Sequence, residues 1–343
     1  NNAVVYVNHL SNFHGKYSIH GNLLVSCGGF NLLKPDLLIT IGGQTGDYSI
    51  FGALNNIGSA EHWRVSEDGS YVDTYGHLTK IFECPDYFFF EKITTNEEST
   101  HSYYLKWYEL NKKIDYTIEL PFSNCYLAQQ LYSNIPNGSI MNFAILNSLR
   151  CWSYFPLHDS IEVYANVAAF GIDGCNSMLI GESINTDKMC FIVTGDLAFF
   201  YDMNALGIRH IKNNLRILLV NNGGGAEFKI LTRNWKNNIH VENFISANGY
   251  NGKAKGWAED CGFKYLSAST KKELLLVKDE FLSTCNQPIV LEVFTKEDDE
   301  VLAMTTLTQN NHIENITGRL KKTITSIIGS SGVEAIKKLE FNL

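Results

Sequence analysis

The chain has 343 residues, 45% of them hydrophobic and 19% charged, with a formal net charge of −8. That length allows about two domains with a sizeable core, and the hydrophobic share is ordinary for a globular protein. The acidic balance offers no basic face to nucleic acid, the apolar runs are too short to span a bilayer, and no signal-peptide pattern opens the chain. A cytoplasmic protein is expected, with neither nucleic acid nor membrane as partner.

In chain order, Asp36-Leu-Leu-Ile-Thr-Ile-Gly-Gly43, Glu61-His-Trp-Arg-Val65 and Lys80-Ile-Phe-Glu83 are apolar runs of strand length. They are broken by Gly-Gly, Asp-Gly and Cys-Pro, which are turn signals. Tyr103 to Lys113 is aromatic and charged without Gly or Pro, and is expected to be a linker helix. Met189-Cys-Phe-Ile-Val-Thr194 and Arg216-Ile-Leu-Leu-Val220 are again strand-like, and Phe199, Met203 and Leu206 recur between them at helical spacing. A strand, a crossover helix and a second strand in one sheet run parallel. Gly195-Asp196-Leu197 and Asn221-Asn222-Gly223-Gly224-Gly225 therefore lie just beyond the carboxyl ends of parallel strands, where open α/β sheets bind ligands.

A carboxylate and an amide oxygen are hard donors, suited to Mg²⁺ or Ca²⁺ rather than zinc or copper. Mg²⁺ prefers a few protein oxygens together with phosphate oxygens and water. The three glycines after Asn222 let backbone approach an anion and can supply a carbonyl to the metal. The combination points to Mg²⁺ bridging protein and a diphosphate. A βα turn and a glycine loop with no ligand is the bland alternative.

From Ile313 onward, Leu320, Ile324, Ile327 and Ile328 repeat at helical spacing, with Lys321 and Lys322 on another face. Gly329-Ser-Ser-Gly332 breaks this pattern, and Val333 to Leu339 can form a second short helix. Such a tail is expected to pack on its own domain or on a neighbouring subunit. The eight cysteines (27, 84, 125, 151, 175, 190, 261 and 285) contain no C-x-x-C pair and are expected to be reduced thiols. His14 and His20, six apart beside a glycine, are expected to be loop histidines.

Gly-Asp followed after 26 positions (196 to 222) by the second Asn of Asn-Asn resembles the diphosphate-binding signature of thiamine diphosphate enzymes. The resemblance implies metal held by Asp196, Asn222 and the carbonyl of Gly224, with Gly195, Leu197 and Gly225 in the diphosphate loops. Asn166-Val-Ala-Ala-Phe-Gly-Ile-Asp-Gly174 and Leu146-Asn-Ser-Leu149 further resemble segments of the menaquinone-pathway carboligase branch of the 2-oxoacid decarboxylase and carboligase superfamily. By that resemblance Gly171 and Ile172 lie against the cofactor. Ile172 would be the wedge that bends it so that its own imino group reaches the thiazolium C2 proton; an ordinary core residue is the alternative. Ser148 takes the position of a cofactor- or substrate-contacting serine.

The resemblance covers most of the chain and implies an α/β fold. A parallel-sheet, three-layer α/β/α diphosphate-binding domain at residues 120–310 would follow a partial α/β middle domain at 1–98 and a linker helix at 99–119, with a helical tail at 311–343. No glutamate matches the motif of the family's activating glutamate, which belongs to a separate pyrimidine-binding domain. The chain is therefore expected to be the carboxyl-terminal portion of a longer enzyme, inactive alone, in a homodimer or homotetramer with its active site between subunits.

Two substrate arginines of that carboligase fall here on Trp152 and Val167, while Arg150 and His158 are nearby but out of register. Arginine grips carboxylates bidentately and neither replacement does. Trp152 then implies either a more apolar acceptor or a plain core position. In Ala226-Glu227-Phe228-Lys229, Glu227 and Phe228 fall where related carboligases line the substrate pocket. Glu227 is expected either to orient a substrate or act as an acid/base group, or to be a solvated glutamate in a first helical turn. The activity implied is decarboxylation of a 2-oxoacid and ligation to a carbonyl acceptor, with thiamine diphosphate and Mg²⁺. A simple 2-oxoacid decarboxylase and a non-catalytic binding protein of the same fold are the alternatives.

Overall fold

A computed structural model describes residues 2–43, 45–94, 100–168, 170–231 and 252–313. The expected tail helices beyond residue 313 lie outside these. In the amino-terminal third, β1 (Val5–Val7) pairs in parallel with β2 (Ser18–His20), and α1 (Asn22–Ser26) follows. The three expected strand runs become β3 (Leu37–Thr40), β4 (Glu61–Ser66) and β5 (Leu78–Glu83), a parallel sheet in the order β3-β4-β5. Between the first two lies α2 (Tyr48–Leu54), whose amino end is capped by the Asp47 carboxylate accepting from Ser49 N at 3.0 Å and Ile50 N at 3.2 Å. Then come α3 (Asp86–Ile93) and α4 (Ser102–Asn111), the latter on the expected linker helix.

The rest of the described chain alternates helix and strand: α5 (Asn124–Leu131), β6 (Ile140–Phe143), α6 (Asn147–Trp152), β7 (Glu162–Ala165), α7 (Cys175–Ile184), β8 (Cys190–Gly195), α8 (Asp196–Tyr201), β9 (Leu215–Asn221), α9 (Ala226–Leu231), α10 (Lys255–Asp260), β10 (Lys264–Ala268), α11 (Lys271–Leu282), β11 (Ile289–Phe294) and α12 (Glu297–Asn310). The six strands form one parallel sheet in the order β10-β11-β9-β8-β6-β7.

Because side chains alternate along a strand, each strand feeds two cores. Met141, Phe143, Phe191, Val193, Leu218, Val220 and Leu291 pack in one apolar cluster with Leu149 and Trp152 of α6 and Leu307 of α12. Ile140, Ile192, Ile217, Leu219 and Val290 face the other, with Leu179 of α7 and Phe199 of α8. These are the three layers of an α/β/α sandwich, and strands buried on both faces explain the continuous apolar runs.

The helix expected from Phe199, Met203 and Leu206 is interrupted. α8 stops at Tyr201, and a 3₁₀ segment takes Met203–Gly207. Asp202, between them, turns its carboxylate to Ser177 N and Oγ, both at 2.6 Å, in the first turn of α7. That cap competes with continuing the helix.

The amino-terminal segment is bound to the large sheet. The Asn12 side chain donates to Val163 O at 2.8 Å and accepts from Val163 N at 2.7 Å on the outer strand β7. His20 ends β2, where a loop was expected, and its Nε2 donates to Ser153 O at 2.7 Å, just past α6. His9 Nε2 lies 3.2 Å from Trp152 O and 3.0 Å from Phe155 O, so two rings satisfy carbonyls at the carboxyl end of α6. Among the described residues no helix is long and apolar enough to cross a membrane.

Glu300 of α12 is fully buried and ties α5 and α6 to Thr295, the residue after β11. Its carboxylate accepts from Asn124 N at 3.0 and 3.1 Å, from Thr295 Oγ1 at 2.7 Å and from Asn147 Nδ2 at 3.5 Å. Burial outweighs these donors and pushes its pKa from 4.5 up to about 7. The folded chain thus holds this proton more tightly than the unfolded one. The resulting stability, on the order of 3 kcal/mol, is fully present below about pH 4.5 and lost by about pH 7. Glu300→Gln should flatten this part of the pH dependence in denaturant unfolding; an unchanged slope over that window would show the group does not titrate there.

Candidate active site

The sheet order reverses direction between β6 and β8, since the chain runs outward from β6 to β7 and then returns to β8 before continuing to β9. At such a switch point the loops leaving the two adjacent strands part to opposite faces and open a crevice at the carboxyl edge. α6 lies on one face and α8 on the other, as their separate clusters show. Ser148, Gly171 with Ile172, Asp196 and Asn222 follow β6, β7, β8 and β9 respectively, all at that edge.

Asp196 is 2% exposed at the start of α8. One oxygen accepts from Leu197 N at 2.8 Å, and the other from Gly223 N at 2.9 Å, joining the loops after β8 and β9. Burial raises its pKa from 3.8 to about 6, against the lowering by the N–H groups of Leu197, Gly223 and Gly224, and the nearby Glu297 charge raises it further. Gly223 has φ +83°, a conformation that glycine adopts without strain, and it turns the chain back toward Asp196. Asn222 Oδ1 accepts from Gly224 N at 3.2 Å, and the Gly224 carbonyl accepts from Ala226 N at 3.3 Å.

Among the described residues no three His, Cys, Asp or Glu side chains form a metal-binding group. A cation at this edge would draw on one carboxylate plus amide and carbonyl oxygens, a hard donor set of the kind Mg²⁺ accepts. The desolvated Asp196 carboxylate, which among the described residues has no cationic side chain as a hydrogen-bond partner, fits such an ion. Gly195, the amino cap of α8, has no atom of the described residues within 4 Å of where a Cβ would sit, which leaves room for an anion beside the helix start.

Other positions are held by less visible constraints. Ser148 is the second residue of α6 and 4% exposed. Leu146, just before α6, has φ +67° and ψ −121°, an unusual conformation for a residue with a side chain; such strain gathers at ligand sites. Asn166 Nδ2 donates to Asp173 O at 3.2 Å and closes the loop carrying Gly171 and the half-buried Ile172, which packs against the α7–α8 core.

At Trp152 and at Glu227 one of the expected readings disagrees with the burial of the side chain. Trp152 is fully buried, with its indole N–H donated to Asn124 Oδ1 at 3.1 Å, so of its two roles it takes the core one rather than lining a pocket. Glu227 is not a solvated glutamate. It is 6% exposed, and its carboxylate accepts from Arg150 Nη1 at 2.6 Å and Nη2 at 2.7 Å. The Arg150 guanidinium stands 5.0 Å from the Tyr48 ring centroid, and Tyr48 meets Phe170 edge-on at 6.2 Å. Phe228, two residues before Ile230, is 37% exposed. Beside Asp196, Lys229 binds Glu297 at 2.5 Å, while the other Glu297 oxygen has no hydrogen-bond partner among the described residues. The bulk of Tyr48 and the charge of Arg150 could be seen in the sequence, but no periodic pattern ties residues 77 apart into a pair.

Removing one member of a buried ion pair strands the other. Arg150→Met alone should cost about 3–5 kcal/mol of unfolding free energy, and the double change Arg150→Met/Glu227→Leu should recover most of it. A denaturant double-mutant cycle checks this, and simple additivity of the two single changes would contradict it.

No family model matches the chain. It is 37% identical over 275 residues to the 2-succinyl-5-enolpyruvyl-6-hydroxy-3-cyclohexene-1-carboxylate synthase of Phocaeicola vulgatus, covering 79% of this chain and 49% of that protein. To the synthase of the same name from Christiangramia forsetii it is 34% identical over 281 residues, 80% of this chain and 48% of that one. To that of Bacteroides fragilis it is 36% identical over 274 residues, 78% of this chain and 48% of that one. The chain spans about half the length of the curated relatives it matches. By this likeness, over about four-fifths of its residues, it belongs to the thiamine diphosphate-dependent carboligases of the 2-oxoacid decarboxylase superfamily.

Proposed function

We propose that this chain is the diphosphate-holding part of a thiamine diphosphate- and Mg²⁺-dependent enzyme that decarboxylates a 2-oxoacid and joins the remaining fragment to a carbonyl acceptor. The observation that carries this reading is the Asp196–Gly223 hydrogen bond, which gathers a buried carboxylate, the Asn222 amide and the glycine loop at the switch point. Asp196, Asn222 and the Gly224 carbonyl would hold Mg²⁺, with the N–H groups at the start of α8 and in the glycine loop toward the diphosphate. When bound, thiamine diphosphate supplies the carbanion chemistry that lets a 2-oxoacid lose CO₂.

The residues of this chain orient and enclose. Ile172, in a loop closed by the Asn166–Asp173 hydrogen bond, supports the cofactor ring from the α7 side. Ser148, at the opposite wall, offers a hydroxyl toward cofactor or substrate. The buried aromatic and aliphatic packing of both faces keeps water from the crevice floor. With Trp152 and Val167 where the resemblance expects arginines, the substrates differ from the dicarboxylic ones of that carboligase. The resemblance assigns the activating glutamate to a pyrimidine-binding domain of a neighbouring subunit. The working unit is then a cytoplasmic homodimer or homotetramer of a longer protein.

Calorimetric titration of the full-length protein with thiamine diphosphate and Mg²⁺ tests the reading. Saturable binding should vanish in Asp196→Ala, and a wild-type protein that binds no cofactor would remove its basis. Ile172→Ala should leave cofactor affinity nearly intact yet lower kcat for CO₂ release roughly tenfold or more, as loss of an interaction that acts on the reacting conformer. Equal losses in affinity and kcat would instead mark Ile172 as ordinary packing.

A further inference from the structure

Strand β9 exits into the glycine loop, and its two neighbours in the sheet, β8 and β11, exit on either side of it. Asp196 follows β8 directly and accepts from Gly223 N in that loop. On the other flank Phe294, the last residue of β11, pairs with Asn221, and Thr295 N donates to Asn221 O at 3.0 Å. Glu297 comes two residues later, in the first turn of α12. Two carboxylates thus flank one loop, close enough that the charge of Glu297 acts on Asp196.

The Glu297 carboxylate is held through one oxygen. The residue is 7% exposed, and that oxygen meets the ammonium of Lys229, from the helix α9 that begins on the glycine loop. The other oxygen is buried and has no hydrogen-bond partner among the described residues. Burying a carboxylate oxygen without a partner costs its hydration, and a second buried carboxylate nearby adds repulsion. A glutamate serving only the helix dipole could do so from the surface, as the side chain of Asp298 does at 93% exposure. The pairing of Asp196 with Glu297 is favourable once a cation joins them.

We propose that Glu297 is a further residue of the cation site, its unpartnered oxygen accepting a hydrogen bond from a water in the shell of the Mg²⁺ that Asp196 and Asn222 hold. Mg²⁺ takes oxygen ligands, parts with its waters reluctantly and is commonly bound through one or two carboxylates. With one oxygen kept by Lys229, Glu297 suits a water of the shell rather than the ion itself. Such outer groups orient what the ion carries, and losing one typically weakens metal binding about 10–100-fold. Glu297 is therefore a positioning residue, fixed in turn by Lys229. The proposal deepens the functional reading above and rests on its cation site.

The test is a calorimetric titration of the full-length protein with Mg²⁺, with and without saturating thiamine diphosphate. Glu297→Gln should weaken Mg²⁺ roughly tenfold or more. Asp298→Asn, which removes the same charge one residue further on, should change it less than about twofold, because an exposed charge acts weakly. Without metal, Glu297→Gln should unfold at the same urea concentration as wild type or a higher one, since repulsion is relieved and Lys229 keeps Asp298 at 3.6 Å. With Mn²⁺ in place of Mg²⁺, paramagnetic resonance in isotopically labelled water counts the waters on the ion. That count should be equal in wild type and Glu297→Gln; one more water in the variant would make Glu297 a direct ligand and overturn the outer placement. Mg²⁺ and cofactor binding that Glu297→Gln leaves unchanged, or that Asp298→Asn weakens equally, sinks this inference alone. So does a loss of affinity matched by a fall in metal-free stability. Glu297-dependent Mg²⁺ binding without thiamine diphosphate binding keeps the inference and sinks the cofactor reading. A wild type that binds neither overturns both.

Discussion

Everything at the carboxyl edge of the large sheet depends on one topological constraint. A parallel sheet sends every strand's exit to the same side, and the reversal between β6 and β8 forces the loops leaving them to opposite faces. Four loops that are distant in sequence thus meet at one crevice without any special interaction to recruit them. Asp196 and Gly223 then need a single 2.9 Å hydrogen bond to set the loops after β8 and β9 in register. The two apolar layers under that edge are what make the arrangement stiff enough to matter.

A second theme is desolvated charge. Asp196, Glu297, Glu300 and the Arg150–Glu227 pair are all buried within the helices and loops that leave the same edge. Each solves the burial problem differently. Glu300 gathers backbone and side-chain donors from separate parts of the chain, Glu227 takes a guanidinium, and Glu297 takes Lys229 and leaves one oxygen without a partner among the described residues. Among the described residues Asp196 has only backbone N–H partners. Sites that bind cations and anions together are built from such partly compensated groups, because a fully compensated one has nothing left to offer a ligand.

How much of this could be read from the residues in order follows from the range of the interactions. The strand runs, the helix over Tyr103 to Lys113 and the Gly-Asp and Asn-Asn-Gly-Gly-Gly loops are local patterns, and the elements emerge within three residues of their expected bounds. Where a distant partner decides, local reading fails. Met203 and Leu206 are spaced for a helix that Asp202 gives up to cap α7. Trp152 was equally suited to a pocket or a core until Asn124 supplied its acceptor. Glu227 had no visible counter-ion, because Arg150 is 77 residues away on another element. The strain at Leu146 has no signature in residue type at all.

The outer strand β7 has one further consequence. In a parallel ladder alternate residues point their N–H and C=O outward, and an outer strand ordinarily leaves that row open to any extended chain that arrives. Here much of the row is occupied from within. Ile161 N binds His158 O, Val163 gives both its groups to the Asn12 amide, and Ala165 O accepts from Val167 N. A primary amide imitates one peptide unit of an absent seventh strand. Strand addition at β7 therefore meets groups that already have partners, and any association between copies would use side-chain surfaces rather than extend the ladder there.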